Sequence, residues 1–161
     1  FVDTCWEKES REYQYVAANY LKAMQSYLKD SDLPKLEQLV VTKSWWDTVD
    51  ILDRVVGSLV YEKQELEKII LQWSLSDNIW LRRVAIDHQL LRKEKTNVQL
   101  LEKILFHNLN QTEFFINKAI GWALRDYSKT NPAWVACFIE KNKERMAELS
   151  IKEASKYLSH H

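Results

Sequence analysis

The sequence predicts an all-α fold, an α/α superhelical solenoid of stacked helical hairpins, and three observations carry that expectation. Two glycines and two prolines in 161 residues leave too little punctuation for strands, which turn corners with those residues. Apolar side chains recur at helical spacing along nearly the whole chain. Four segments also superimpose: Tyr15–Leu21, Asp47–Leu52, Arg83–Leu90 and Asn117–Leu124, whose small central residues Ala17, Val49, Ala85 and Ala119 lie 32, 36 and 34 positions apart. A period in the thirties, filled by helix, turn and helix, describes an array in which each hairpin buries its apolar face on its neighbours. Such a stack curves to one concave surface, suited to a large, elongated partner.

In chain order, helices are expected at about 10–28, 33–42, 45–59, 63–74, 78–92, 97–107, 112–128, 132–142 and 150–158. The stops are Asp30-Ser31-Asp32-Leu33-Pro34, Ser74-Leu75-Ser76-Asp77-Asn78, Lys95-Thr96-Asn97 and Thr130-Asn131-Pro132, in which Asn and Asp suit helix caps and Pro132 a first turn. Phe1-Val2-Asp3-Thr4-Cys5-Trp6 resembles the tail of a helix whose start is missing, which implies a trimmed N-terminus; His160-His161 reads as a tag remnant. A composition of 46% hydrophobic and 29% charged residues suits a single domain over 1–161. No apolar run reaches the roughly 20 residues that cross a bilayer, and no signal-peptide pattern opens the chain. Cys5 and Cys137 form neither a metal knuckle nor a disulfide framework, so a reduced, cytoplasmic setting is expected; a monomer that uses no cofactor is expected alongside it.

The zero net charge conceals an uneven distribution. Residues 1–79 carry 9 Lys and Arg against 14 Asp and Glu, whereas residues 80–130 carry 9 against 5. The basic excess is either a solvated helix face or the footprint of an anionic partner.

Trp46 and Asp50 are four residues apart, one turn along one helix face. Periodicity alone reads Trp46 as core and Asp50 as a cap or interhelical bridge; the alternative is a carboxylate placed for chemistry, because an unpartnered aspartate is costly to bury. Asp47 fits a dipole-complementing helix start, and Trp45 fits packing. Arg83, in Trp80-Leu81-Arg82-Arg83, aligns with Asp47 in the repeat. It reads as a salt-bridge partner or as a bidentate phosphate clamp. Trp122 reads as core or as part of a site. Gly121 is costly in a helix interior unless a neighbouring helix or a ligand approaches closely. His88 and His107 lack the companions of a metal site or a triad, and there is no glycine-rich phosphate loop.

With SWWDTVD, WLRRVAIDHQLLRKEKT and FFINKAIGWALRDYSKTNPAWV in order, the chain resembles the DNA alkylation repair family, the AlkD-type DNA glycosylases built of HEAT-like repeats. The resemblance runs from Trp6 to Leu158. It implies a concave DNA-binding face and hydrolysis of the N-glycosidic bond of N3- and N7-alkylated purines in double-stranded DNA, without flipping the base, unlike the usual practice of enzymes acting on bases. It makes Asp50 the catalytic carboxylate, and Trp46, Arg83 and Trp122 the lesion and DNA contacts, with Arg83 on the phosphate. Arg82, Arg92, Lys93, Lys95, Lys118, Arg125 and Lys129 become candidate phosphate contacts, whose contribution should fall steeply with salt. It implies a bacterial, cytoplasmic, nucleoid-associated monomer, and the family's N-terminal helices are missing from this chain. The competing expectations are a non-catalytic DNA-binding relative and a helical-repeat scaffold for a protein partner.

Overall fold

A computed structural model describes residues 1–158; the tag reading of His160-His161 lies outside them. Ten α-helices and no strand occur among the described residues: α1 (Val2–Glu7), α2 (Arg11–Ala23), α3 (Leu33–Val40), α4 (Trp46–Val60), α5 (Gln64–Trp73), α6 (Ile79–Asp87), α7 (Val98–His107), α8 (Phe114–Ser128), α9 (Pro132–Asn142) and α10 (Glu148–Ala154). The backbone divides into two compact units, Phe1–Val84 and Ala85–His161.

The predicted stops work through the expected chemistry. Asn78 Oδ1 accepts from the Trp80 and Leu81 N–H groups at 2.9 and 3.2 Å. Asn97 caps α7 and Asn131 caps α9, each at 3.1 Å, and Pro132 opens α9. Asp32 departs from this pattern: its carboxylate accepts from the Lys29 N–H at 2.8 Å, bracing the turn before α3.

Two helices end early. α2 stops at Ala23 rather than residue 28 and gives way to a single 3-10 turn at Gln25–Tyr27, where no residue from Lys22 to Asp30 is buried to favour a longer α-helix. α6 stops at Asp87 rather than residue 92. There Gln89 holds both the N–H and C=O of Asn97, at 2.7 and 3.2 Å, and Leu91 turns the corner at φ 69° with its N–H on Asp126 Oδ2 at 2.9 Å. Lys43, Glu62, Lys93 and Asn110 also take left-handed conformations. The scarcity of glycine thus leaves ordinary residues at the corners, each at a cost of about 1 kcal/mol or more.

All four repeat centres, Ala17, Val49, Ala85 and Ala119, are buried on α2, α4, α6 and α8. In the first unit α4 packs on α2 and α3 through Val49, Leu52, Val55, Val56, Leu59 and Val60. In the second, α8 packs on α9 and α10 through Ile116, Ala119, Ile120, Ala123 and Leu124. Each such side chain contributes about 1.5–3 kcal/mol. Polar bridges repeat at the same interval: Arg11 to Asp47, Asp50 to Arg83 and Lys118 to Glu153 are separated by 36, 33 and 35 residues.

Gly121 is explained by a neighbouring helix. A methyl group there would stand 2.7 Å from Glu153 Cβ and 3.3 Å from the Ser150 carbonyl oxygen, both on α10. Replacement of Gly121 by alanine should recover up to about 1 kcal/mol of helix propensity but lose about 1–3 kcal/mol to overpacking. A thermal melt is expected to show net destabilisation; a rise in Tm would contradict this packing.

Candidate functional site

The approach to α4 is tied down before the site begins. Trp6 Nε1 donates to the Thr42 carbonyl at 2.9 Å, Arg11 Nη1 to the Lys43 carbonyl at 2.6 Å, and Lys43 Nζ to the Lys8 carbonyl at 2.6 Å. Asp47 begins the helix and joins α2 to it. Its carboxylate accepts from Arg11 through Nη2 and, at 3.3 Å, through Nε, from the Tyr15 hydroxyl at 2.5 Å and from the Thr48 N–H at 2.7 Å. Burial pulls the Asp47 carboxyl upward, but the hydrogen bonds from Arg11 and Tyr15 and the charge of Arg11 outweigh it and leave it below the ordinary carboxylate range. Asp47 is therefore the helix-start residue expected, with a bridge to α2 that sequence reasoning missed.

Trp46 does not enter the core. It is 50% exposed, and Trp45 is 48% exposed rather than packed away. The Trp45 ring leans on Trp80 with centroids 5.7 Å apart and an interplanar angle of 57°. Two large aromatic surfaces thus stand open at the start of α4, one turn before Asp50.

Within the first unit, Asp50 on α4 is bridged to Arg83 on α6. Arg83 Nε donates to Oδ1 at 2.8 Å and Nη2 to Oδ2 at 2.9 Å, a fork on fork. The Arg83 side chain is only 2% exposed, whereas that of Asp50 is 22% exposed. Forked on Asp50 and 2% exposed, the guanidinium presents little surface to the backbone phosphate that the resemblance assigns to it. The expectation of Asp50 as an interhelical bridge and that of Asp50 as a reachable carboxylate are both compatible with this geometry.

One turn further on, Asp53 is 2% exposed and paired to Arg54 Nε at 2.9 Å. Burial pushes its carboxyl up to about 7, against the charge and hydrogen bond of Arg54; Asp50 adds to the rise and Arg83 opposes it. Between the ordinary value of 3.8 and about 7, the folded chain keeps a proton that the unfolded chain has lost. Stability from this group is therefore full below that window and declines as pH rises through it, by up to about 1.4 kcal/mol per pH unit. Asp53→Asn is expected to shrink the difference in Tm between pH 5 and pH 8, and an unchanged difference would refute the assignment. The signal was present in sequence: Asp47, Asp50 and Asp53 recur every third position.

In the second unit, Lys118, Gly121, Trp122 and Arg125 share one face of α8. Lys118 Nζ and Arg125 Cζ each lie 5.9 Å from the Trp122 ring centroid, close enough for cation–π attraction. Both cations also bind Glu153, Lys118 Nζ at 2.9 Å to Oε1 and Arg125 Nη1 at 3.1 Å to Oε2. Trp122 is half-buried, so its expected core placement is only partly met. Lys129, exposed, lies 4.8 Å over the Tyr157 ring. Lys93 and Lys95 are exposed in a 3-10 turn; Arg92, half-buried, donates to Gln89 at 3.1 Å, and Arg82 is half-buried on α6.

An all-helical repeat carrying an arginine-braced carboxylate beside open tryptophans is the class of protein these features define. A family model described as DNA alkylation repair enzyme matches residues 1–158, and the chain belongs to that family. A solved structure described as a predicted DNA alkylation repair enzyme from Enterococcus faecalis is 37% identical, with a TM-score of 0.91 over 99% of this chain and 75% of that one. AlkD2 from Streptococcus mutans is 19% identical, with a TM-score of 0.77 over 98% of this chain and 79% of its own. The protein smu.31 from Streptococcus mutans UA159 is 20% identical, with a TM-score of 0.76 over 98% and 82%. These two establish the AlkD-like helical-repeat fold alone. No match was found among proteins of curated function. No described helix is long and apolar enough to cross a membrane.

Proposed function

We propose that the protein is a DNA glycosylase that hydrolyses the N-glycosidic bond of N3- and N7-alkylated purines in duplex DNA, acting as a monomer without flipping the base. The observation that carries this reading is a solvent-reachable carboxylate, Asp50, fixed from behind by a buried guanidinium, in a chain of this family.

The chemistry asks little more. An alkylated purine already bears positive charge, so it departs without a general acid. What remains is to stabilise the oxocarbenium-like sugar and to hold a water for attack. Asp50 does both. The Arg83 fork occupies one lone pair on each oxygen and fixes the plane of the carboxylate, leaving the outward lone pairs for sugar and water. Arg83 is thus a positioning residue. Trp46 supplies a flat apolar face for sugar carbons and backbone, while Trp122, with Lys118 and Arg125 beside it, contacts the sugar-phosphate strand. Arg82, Arg92, Lys93, Lys95 and Lys129 contribute to duplex affinity.

The test is release of 7-methylguanine or 3-methyladenine from methylated duplex, with Asp50→Asn beside wild type. Release that depends on Asp50 supports the reading. Salt-sensitive duplex binding without release would favour a non-catalytic relative, and absence of both would leave the scaffold role.

A further inference from the structure

The carboxylate of Glu153 bridges two cations of α8. Lys118 and Arg125 lie one turn to either side of Trp122, and each directs a charged N–H group to a different oxygen of Glu153, at 2.9 and 3.1 Å. All three charged side chains remain partly open, at 26%, 27% and 20% exposure for Lys118, Arg125 and Glu153. Lys118's hydrogen bond, only partly offset by burial, and the charges of Lys118, Arg125 and Lys156 hold the Glu153 carboxyl below the ordinary range. The approach is built into the backbone: only a residue without Cβ at 121 lets Glu153 lie this close to α8, with 2.7 Å between a Cβ there and its own.

We propose that Glu153 is an internal stand-in for a DNA phosphate, its carboxylate filling a seat formed by Lys118 and Arg125 astride Trp122, and that duplex binding displaces it. The inference rests on the glycosylase reading only for the identity of the anion. A phosphodiester offers two unesterified oxygens to the same two donors, and a carboxylate in that place keeps the cations extended and their positions fixed before DNA arrives. It also sets a threshold. Weak anions and stray nucleic acid must compete with a tethered carboxylate, whereas a duplex engaged elsewhere on the surface presents its phosphate at high effective concentration.

The proposal is tested with Glu153→Gln, and with Glu153→Ser should the first variant fail to show wild-type helical circular dichroism. Affinity for an unmodified duplex is measured by anisotropy across a salt series. The variant should bind on the order of tenfold tighter at low salt, with a plot of log K against log salt steeper by up to about one phosphate contact. Adding Lys118→Gln or Arg125→Gln should remove the gain. Unchanged or weaker binding by a folded variant overturns the proposal. Should neither protein bind duplex, the DNA reading fails and the seat is judged by inorganic phosphate. At equal ionic strength, replacing chloride by phosphate should raise the Tm of Glu153→Gln more than that of wild type, and equal shifts overturn the seat itself.

Discussion

Asp50→Asn is expected to lower release of 7-methylguanine from methylated duplex by about a hundredfold to a thousandfold, the cost of deleting a single electrostatic stabiliser in a preorganised site. The substitution preserves size and leaves one oxygen to accept from Arg83, whose Nε and Nη2 now meet Oδ1 and Oδ2 at 2.8 and 2.9 Å. It removes the charge that would face the developing sugar cation. Duplex affinity should change little, because a loss of anionic charge cannot weaken a contact with phosphate. A variant that retains release within tenfold of wild type would eliminate Asp50 as the reacting carboxylate, and one that loses binding and release together would recast it as structural.

Arg83→Met should produce the largest loss of stability. The guanidinium is 2% exposed and offsets Asp50 directly and Asp53 through its charge. Removing one partner of a buried pair costs up to about 3–5 kcal/mol; here Asp50, 22% exposed, loses its counter-ion but keeps part of its water, and the buried Asp53 loses a stabilising charge. For a chain of this size that amounts to a fall in Tm on the order of 10 °C. The double substitution Asp50→Leu with Arg83→Met should recover much of it, because the pair is then replaced by apolar volume, yet release should stay abolished. A folded, fully stable Arg83→Met protein would show that the fork contributes little to the fold.

The order and kind of the helices followed from spacing and composition, because helical periodicity and a shortage of turn residues are local properties. The caps at Asn78, Asn97 and Asn131 were equally legible. What periodicity could not supply was orientation. Periodicity alone places Trp46 and Trp45 in an apolar stripe, whereas the resemblance makes Trp46 a DNA contact; the turn pinned by Trp6, Arg11 and Lys43 presents both at the start of α4, half exposed. Spacing picks out Arg83 as a salt-bridge partner or a phosphate clamp, but its burial depends on which face of α6 meets α4. The early ends of α2 and α6 arose from side chains far along the sequence or from lost burial, neither visible in a local window. Asp53 could have been found from the three-residue recurrence of aspartate along α4. Glu153 gave no local signal: its meaning depends on Gly121, Lys118 and Arg125, all roughly one repeat away.

The recurring separation of the bridges, 36, 33 and 35 residues for Arg11 to Asp47, Asp50 to Arg83 and Lys118 to Glu153, makes chain length a functional quantity in its own right. One residue added inside α4 ahead of Asp50 would turn every position before or after it by about 100° relative to the other, swinging either Asp47 from Arg11 or Asp50 from Arg83. Residue identity on the outer faces can therefore drift freely while the count of residues between bridges cannot. A chain of this kind should diverge by substitution far more readily than by insertion or deletion within its helices.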